Sequence, residues 1–197
     1  MTRGEPRPAA PRTAWRAGWL RGVRRVDSPN FGPRPAGAAI DLVVIHSISL
    51  PPGEYGGDAI ERLFTNRLEA GAHPYFETVA GLRVSAHFLV RRDGGLLQFV
   101  SCDERAWHAG ASSWRGRADC NDFSIGIELE GLEGDPFEAA QYERLAATLS
   151  SIAARYPVCA VTSHAHIAPG RKKDPGEGFD WDLLARRAPD LAVEFIP

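Results

Sequence analysis

Two histidines and one aspartate are the residues of this chain that best fit the requirements of a metal-binding site. His46 ends the largely apolar run 40–46, whereas His164 and Asp174 lie ten positions apart across a loop rich in turn residues. Two imidazoles and one carboxylate from separate elements form a ligand set that suits zinc with one coordination position left open. Because an open position distinguishes catalytic zinc from structural zinc, the three residues predict metal-assisted hydrolysis.

The segment 123–130 carries a candidate for the base that such a reaction needs. It alternates as a β-strand, so that Gly126, Glu128 and Glu130 share one face while apolar residues take the other. Carboxylates on so apolar a strand are costly to bury unless they are paired or functional, and Gly126 leaves room beside them for a ligand. Glu128 is therefore a candidate base, and the alternative is that both glutamates are solvated on an exposed sheet face.

A pair of lysines next to Asp174 supplies the positive charge that would stabilise an oxyanion during hydrolysis. Lys172 or Lys173 can take this role, and the spacing does not choose between them, nor between Glu128 and Glu130. Turn residues on both sides of the pair would hold the segment in a fixed loop, as a ligand loop requires. These residues are Pro169, Gly170, Pro175 and Gly176.

The elements that position these residues are predicted to form a mixed α/β fold. Runs rich in Val, Ile, Leu and Phe predict strands at 39–46, 84–92, 95–101, 105–109, 123–130 and 159–164. Helices are predicted at 57–65, 136–156 and 179–187. Strands that first pair locally and are then separated by helices indicate a central mixed β-sheet flanked by helices.

Capping and turn residues define two of these elements more closely. Asp135 can serve as the N-cap of the longest helix, with Pro136 at the first helical position and Glu138 three residues after the cap. The turn residues of 91–95 predict a β-hairpin.

The segment 47–81 is long for a connection between two elements. Long loops of compact domains often cover or form binding sites. Because this segment starts directly after His46, we expect it to border the site.

The composition describes an ordinary soluble globular protein of one domain. Its 197 residues are 44% hydrophobic and 24% charged, and the net charge of −2 provides no basic field for nucleic acid. Seven arginines and one acid within residues 1–25 predict a poorly ordered, Arg- and Pro-rich leader over 1–17, followed by a single domain over 18–197.

Neither export nor a membrane span is predicted. The first part of the chain lacks the apolar stretch of a secretory signal, and no uninterrupted apolar run approaches about 18 residues. The three cysteines have no regular spacing and do not describe a disulfide framework. We therefore expect the protein to work in the reducing cytoplasm.

Six sequence blocks, at 43–46, 48–57, 82–87, 105–110, 120–131 and 167–176, carry a resemblance to a known family. With them the chain resembles the zinc-dependent N-acetylmuramoyl-L-alanine amidases, which share a fold with peptidoglycan-recognition proteins and T7-type lysozyme. Within that group it is most similar to the cytoplasmic 1,6-anhydro-N-acetylmuramyl-L-alanine amidases of AmpD type. The resemblance runs from Gly18 to about Trp181 and so covers most of the chain.

The resemblance implies a role for each residue of the candidate site. It selects Glu128 over Glu130 as the residue that activates water, and Lys172 over Lys173 as the residue that stabilises the tetrahedral intermediate. The implied ligands of one zinc ion are His46, His164 and Asp174. The implied reaction cleaves the amide between the lactyl group of anhydromuramic acid and L-alanine of the stem peptide during cell-wall recycling. Its substrate is a small soluble muropeptide, and no nucleic acid, membrane or obligate protein partner is implied.

Two positions depart from the pattern of that family. His166 stands where an acid or amide is usual, and it would compete with His164 as a ligand if the strand continued, because alternation would put both rings on one side. We favour His164. Ser47 follows His46 where an asparagine is common, which removes one implied substrate contact.

Four further residues are candidates for substrate binding. Trp107 could stack on the apolar face of a sugar, and His108 follows it directly. Arg83 and Arg117 carry forked guanidinium groups that suit stem-peptide carboxylates. The alternatives are a core tryptophan and solvated surface arginines. His87 is expected to be a hydrogen-bonded core histidine.

Two other functions compete with that of a recycling enzyme. A peptidoglycan-recognition protein that only senses fragments typically lacks part of the ligand set, whereas the set is complete here. An exported amidase that acts on intact peptidoglycan would carry a signal or lipoprotein sequence, and none is visible. We therefore expect an enzyme.

Overall fold

The computed structural model describes residues 14–197. Their strands are β1 Trp15–Arg16, β2 Trp19–Leu20, β3 Arg24–Arg25, β4 Phe31–Gly32, β5 Leu42–Ile48, β6 Phe88–Val90, β7 Leu96–Gln98, β8 Arg105–Ala106, β9 Ser113–Trp114, β10 Arg117–Ala118, β11 Ser124–Glu130, β12 Ala160–Ser163 and β13 Glu194–Ile196. The helices are α1 Ala59–Phe64, α2 Pro74–Val79, α3 Ala139–Ala153, α4 His164–Ile167 and α5 Trp181–Arg187, and 3₁₀ turns lie at Ala70–Ala72 and Cys120–Asp122.

A seven-stranded mixed sheet in the order β13-β12-β5-β11-β6-β7-β3 organises the fold. Neighbouring strands of this sheet are parallel, except β6 and β7, which form the antiparallel hairpin predicted around 91–95. The predicted α/β class with a central mixed sheet is therefore confirmed. The three strands β12, β5 and β11 are parallel neighbours, so their carboxyl ends meet at one edge of the sheet.

The central strands are apolar because both faces of the sheet are covered. On one face Val43 and Ile45 of β5 pack in a cluster with Leu145 and Leu149 of α3. On the other face Val44 packs in a different cluster. His46 follows Val44 by two positions, so it points away from α3.

Several predicted boundaries were wrong. The long helix begins at Ala139 rather than Pro136, and Glu138 rather than Asp135 is the N-cap. The reason is Gln141, whose side chain accepts from the N–H of Glu138 and donates to two carbonyls of the sheet. The strand predicted over 105–109 comprises two residues, and that over 84–92 comprises three.

The segment 47–81 contains more structure than predicted. Besides α1, which the sequence placed at 57–65, it contains α2, which the sequence analysis missed. The signal for α2 was present: His73 is the N-cap, its ring accepting from the N–H of Tyr75, and Pro74 takes the first position.

The packed part of the chain begins earlier than Gly18. Trp15, which the prediction placed in the leader, is 7% exposed and belongs to the cluster around α3. Residues 1–13 of the predicted leader lie outside the described residues. Within the described part of the chain, none of the helices has the length and apolar character needed to cross a membrane.

Candidate metal centre and active site

The carboxyl ends of three parallel strands bring the predicted chemical residues together. His46 lies near the end of β5, and Glu128 of β11 is its direct partner in the sheet. His164 follows Ser163, the last residue of β12, and Asp174 lies in the loop beyond α4. Ligand sites of open α/β sheets form at this edge, where strands end and loops begin.

Three donor atoms converge in this group. The Nδ1 atoms of His46 and His164 are 2.9 Å apart, and Oδ2 of Asp174 lies 3.1 Å from the first and 2.9 Å from the second. All three residues are buried, with exposures of 1%, 3% and 6%. Two nitrogens and one carboxylate oxygen facing a common centre fit a zinc ion that keeps a fourth position for water or substrate.

The turn after β12 decides which histidine joins the group. Ser163 caps α4 by accepting the N–H of His166 at 3.0 Å, so the strand ends before His164. The alternation considered for His164 and His166 therefore does not occur. His166 points outward, where its Nδ1 contacts the carbonyl of Pro197 at 3.1 Å and its ring lies 5.4 Å from that of Trp114.

Burial and neighbouring charge shift two pKa values within the group. Burial, reinforced by the nearby His164, lowers the pKa of His46 to about 4, so the ring is neutral at physiological pH. Burial alone would raise the pKa of Asp174, but its close contacts with His164 and His46, at 2.9 and 3.1 Å, outweigh that effect and lower the pKa. A neutral imidazole and an ionised carboxylate are the forms that bind a metal.

Both glutamates of β11 are buried, so the alternative of a solvated face was wrong. Oε2 of Glu128 has no hydrogen-bond partner within residues 14–197. Burial raises the pKa of Glu128 well above its ordinary value, the charge of Asp174 adds to the shift, and Lys172 opposes it. Glu130 instead accepts from Arg91 and from the N–H of Gly56, each at 2.8 Å. A buried carboxylate oxygen without a protein partner, beside a metal-type donor group, suits a base that receives a proton from water.

The two lysines occupy different surroundings. Lys172 lines a cleft of about 320 Å³ together with Glu128 and Asp174, and it also lines a neighbouring groove in which Lys173 lies. The side chain of Lys172 therefore shares a space with the candidate base.

The predicted substrate contacts divide into two groups. Trp107 and His108 line the cleft, and both are half-buried. Arg83 is exposed and lies between two residues of the cleft wall. Arg117 is outside the cleft lining: its guanidinium bonds to both carboxylate oxygens of Asp41, at 2.9 and 3.0 Å, and stacks on Phe123. For Arg117 the structure thus favours the surface alternative.

Other parts of the cleft were not anticipated as functional residues. Tyr75 and Val79 of α2 form an apolar wall with Leu82.

His87, expected in the core, is fully buried and its Nδ1 accepts from the N–H of Gly126 at 3.0 Å.

Comparison with known proteins identifies the family. The family model of N-acetylmuramoyl-L-alanine amidase matches residues 36–177. The chain is 55% identical to the 1,6-anhydro-N-acetylmuramyl-L-alanine amidase AmpD of Citrobacter freundii over 166 residues, which are 83% of this chain and 89% of that protein.

Solved structures agree with the sequence comparison. A crystal structure of a selenomethionine derivative of AmpD superposes with a TM-score of 0.84 at 51% identity, covering 87% of this chain and 97% of that one. The Escherichia coli amidase AmiD, solved with anhydro-N-acetylmuramic acid-L-Ala-D-γ-Glu-L-Lys, superposes with a TM-score of 0.56 at 32% identity, covering 78% and 60%. The chain thus belongs to the N-acetylmuramoyl-L-alanine amidase family, and within it to the amidases of AmpD type.

Proposed function

We propose that this amidase uses one zinc ion to hydrolyse the amide between anhydro-N-acetylmuramic acid and L-alanine in soluble peptidoglycan fragments. The observation that carries the proposal is the convergence of His46, His164 and Asp174 next to Glu128, whose buried Oε2 has no partner among the described residues, in a chain of this family. Zinc, when bound, supplies a Lewis acid that polarises the scissile carbonyl and makes water more acidic.

Glu128 takes the proton of the attacking water in this proposal. Its raised pKa makes it a stronger proton acceptor than an ordinary glutamate, and the same group can then deliver the proton to the amine of the departing L-alanine. Within residues 14–197 no hydrogen bond competes for Oε2, so that oxygen is available for the transfer.

Lys172 stabilises the negative charge that develops on the carbonyl oxygen. Lys172 lines the same cleft as Glu128, and a fixed positive charge in a partly enclosed site acts mainly on the transition state. Trp107 and the apolar wall of α2 offer surfaces for the sugar and the peptide. Arg83, at the rim, remains a candidate partner for a stem-peptide carboxylate.

The proposed location is the cytoplasm, and the proposed role is recycling of imported wall fragments. Among the described residues Cys102, Cys120 and Cys159 are all free thiols, the usual state in a reducing compartment. The cleft of about 320 Å³ lies within the size range of small-molecule sites, which suits a short soluble fragment.

A competition assay tests the substrate assignment. Equal amounts of purified anhydromuropeptide and intact sacculi are incubated with the enzyme, with and without a chelator, and products are read by mass spectrometry. We expect release of L-alanine-linked stem peptides from the soluble fragment and loss of this activity with the chelator. Equal or faster cleavage of sacculi would favour an amidase of the intact wall.

Binding of the fragment without turnover would favour a sensor. Glu128→Gln is the matched control, because it should bind zinc and fragment and still fail to cleave. Cleavage that persists after complete removal of metal would contradict the zinc mechanism.

A further inference from the structure

Both histidines of the metal group are held from behind by one short segment. The Nδ1 atom of each ring faces the group, and the opposite nitrogen, Nε2, contacts a neighbour. Nε2 of His46 lies 2.9 Å from Nδ1 of His108, and Nε2 of His164 lies 3.1 Å from the carbonyl oxygen of Ala109. Two consecutive residues, His108 and Ala109, therefore each contact one of the two rings.

That segment is itself fixed by other side chains. Oδ1 of the buried Asn121 accepts the N–H groups of His108 and Ala109, at 3.0 and 2.8 Å. Arg171 donates to the carbonyls of Ala109 and Ala111, at 2.6 and 2.7 Å. The residues behind the two histidines thus have little freedom to move.

The hydrogen-bond directions can be assigned from the carbonyl end of this chain of contacts. The carbonyl of Cys120 can only accept, so the hydroxyl hydrogen of Ser124 points to it at 2.6 Å. Oγ of Ser124 must then accept from Nε2–H of His108 at 3.2 Å, which leaves Nδ1 of His108 as an acceptor. His46 consequently carries its hydrogen on Nε2 and presents the Nδ1 lone pair to the metal group.

The tautomer of His164 also follows from a carbonyl partner. The carbonyl of Ala109 can only accept, so Nε2 of His164 carries the hydrogen and Nδ1 presents its lone pair. Arg171 approaches that Nε2 only to 3.5 Å, beyond normal hydrogen-bond length.

Gly126 provides the space in which the ring of His108 lies. A Cβ atom at position 126 would lie 2.4 Å from Cγ and 2.6 Å from Nδ1 of that ring. The missing side chain was expected to leave room for a ligand, and this was wrong, because an imidazole of the chain itself occupies the space. Gly126 lies two positions before Glu128, so the ring is placed beside the candidate base and behind the candidate ligand.

We infer that His108 is a positioning residue of the metal site, which fixes the orientation and the tautomer of His46, and that Gly126 is required for it to do so. The inference rests on the proposed function, since it assumes that His46 binds zinc through Nδ1. It assigns His108 a partner within the protein, in place of the substrate contact expected from the sequence. Outer hydrogen-bond partners of this kind typically contribute about 10- to 100-fold to metal affinity.

Zinc affinity of a matched set of variants tests the inference. His108→Leu removes the acceptor, whereas His108→Asn replaces Nδ1 by an amide oxygen at a similar position. Chelator competition should show affinity reduced about 10- to 100-fold in His108→Leu and largely restored in His108→Asn. Gly126→Ala should also weaken zinc binding although it removes no donor or acceptor, and His166→Ala should bind zinc like the wild type.

Two outcomes would overturn the inference while leaving the proposed function intact. Wild-type zinc affinity in His108→Leu, combined with a raised KM, would show that His108 contacts substrate. Equal zinc loss in the Leu and Asn variants, with both folded by circular dichroism, would show that the acceptor is not what matters. If wild-type protein binds no zinc, the proposed function fails first.

Nuclear magnetic resonance of histidine-labelled wild-type protein gives a readout that requires no variant to fold. We expect the ¹⁵N shifts of the zinc-loaded protein to place a hydrogen on Nε2 of both His46 and His108. A hydrogen on Nδ1 of His108 would contradict the assigned direction, whatever the activity of the enzyme.

Discussion

The two glutamates of β11 have opposite surroundings, so the same substitution should affect different properties at each position. Glu128 is buried with an oxygen that lacks a partner within the described residues, whereas Glu130 accepts three hydrogen bonds, from Arg91, Gly56 and Arg92. We therefore expect Glu128→Gln to lose most turnover and preserve stability. Glu130→Gln should reduce stability and preserve most turnover per folded molecule.

The magnitude for Glu130 follows from its contacts. Hydrogen bonds to a charged group contribute about 1.5–3 kcal/mol each, and the substitution affects all three, since those at the amide oxygen become neutral and those at the amide nitrogen are misdirected. Arg91 retains a second partner, Glu61, at 3.0 Å, which limits the cost of leaving its charge buried. We expect Glu130→Gln to lower the free energy of unfolding by about 2–4 kcal/mol, or Tm by about 4–16 °C for a chain of this length.

In the metal-free protein, Glu128→Gln should raise the free energy of unfolding or leave it unchanged, whereas Glu130→Gln should lower it. Because burial raises the pKa of Glu128 in the folded state, its ionisation opposes folding at any pH above the pKa of the unfolded chain. The amide removes that penalty, so stability at neutral pH should equal or exceed that of the wild type. The difference should vanish as the pH falls below the ordinary range of a glutamate, where both states are protonated.

Urea denaturation of the metal-free proteins and turnover of the zinc-loaded proteins measure the two effects separately. Turnover of Glu128→Gln should fall by about two to four orders of magnitude, the usual contribution of a general base. A comparable fall in Glu130→Gln, without loss of stability, would refute the division of roles and make the acidic face a single catalytic unit.

The other predictions concern the metal and the lysines. His46→Ala and His164→Ala should contain far less zinc than His166→Ala by elemental analysis, and the reverse order for the last two would exchange the ligand assignment. Zinc affinity, followed by chelator competition, should decline as the pH falls toward 4, because protonation of His46 then competes with the metal; undiminished affinity at that pH would contradict His46 as a ligand. Lys172→Ala should lose much more kcat than Lys173→Ala, and equal losses would remove Lys172 from the mechanism.

The sequence alone predicted the central sheet but not the residues at which several strands and helices begin and end. The strand predicted at 123–130 is observed at Ser124–Glu130, because alternation of isoleucine and leucine is a local signal that the sheet obeys. The start of α3 was missed although part of its signal is local, since Glu138 and Gln141 cap each other reciprocally. Gln141 also donates to the carbonyls of Val90 and Glu130, and these contacts with the sheet could not be read from the candidate caps Asp135 and Pro136.

For the candidate site, too, some features could be expected from the sequence and others could not. That His46, His164 and Asp174 meet could be expected once each was placed at the end of a parallel strand or in the loop after it. The burial of Glu130 could not, because its partner Arg91 belongs to the hairpin, a separate part of the chain. Nor could the role of Gly126, because alternation shows that a position lacks a side chain but not which residue fills the space.

The directions of the outer hydrogen bonds leave His46, His164 and Asp174 without a hydrogen to share among themselves. With the hydrogens of His46 and His164 on Nε2, two lone pairs and the carboxylate of Asp174 face one another at 2.9–3.1 Å with no hydrogen between them. Three acceptors at that separation repel one another unless a proton or a metal ion lies among them. The fold therefore does more than bring three ligands together: through His108 and Ala109 it favours the tautomers that present the lone pairs of both rings to a shared cation. In the proposed zinc enzyme, these outer hydrogen bonds therefore prepare both rings to bind the metal.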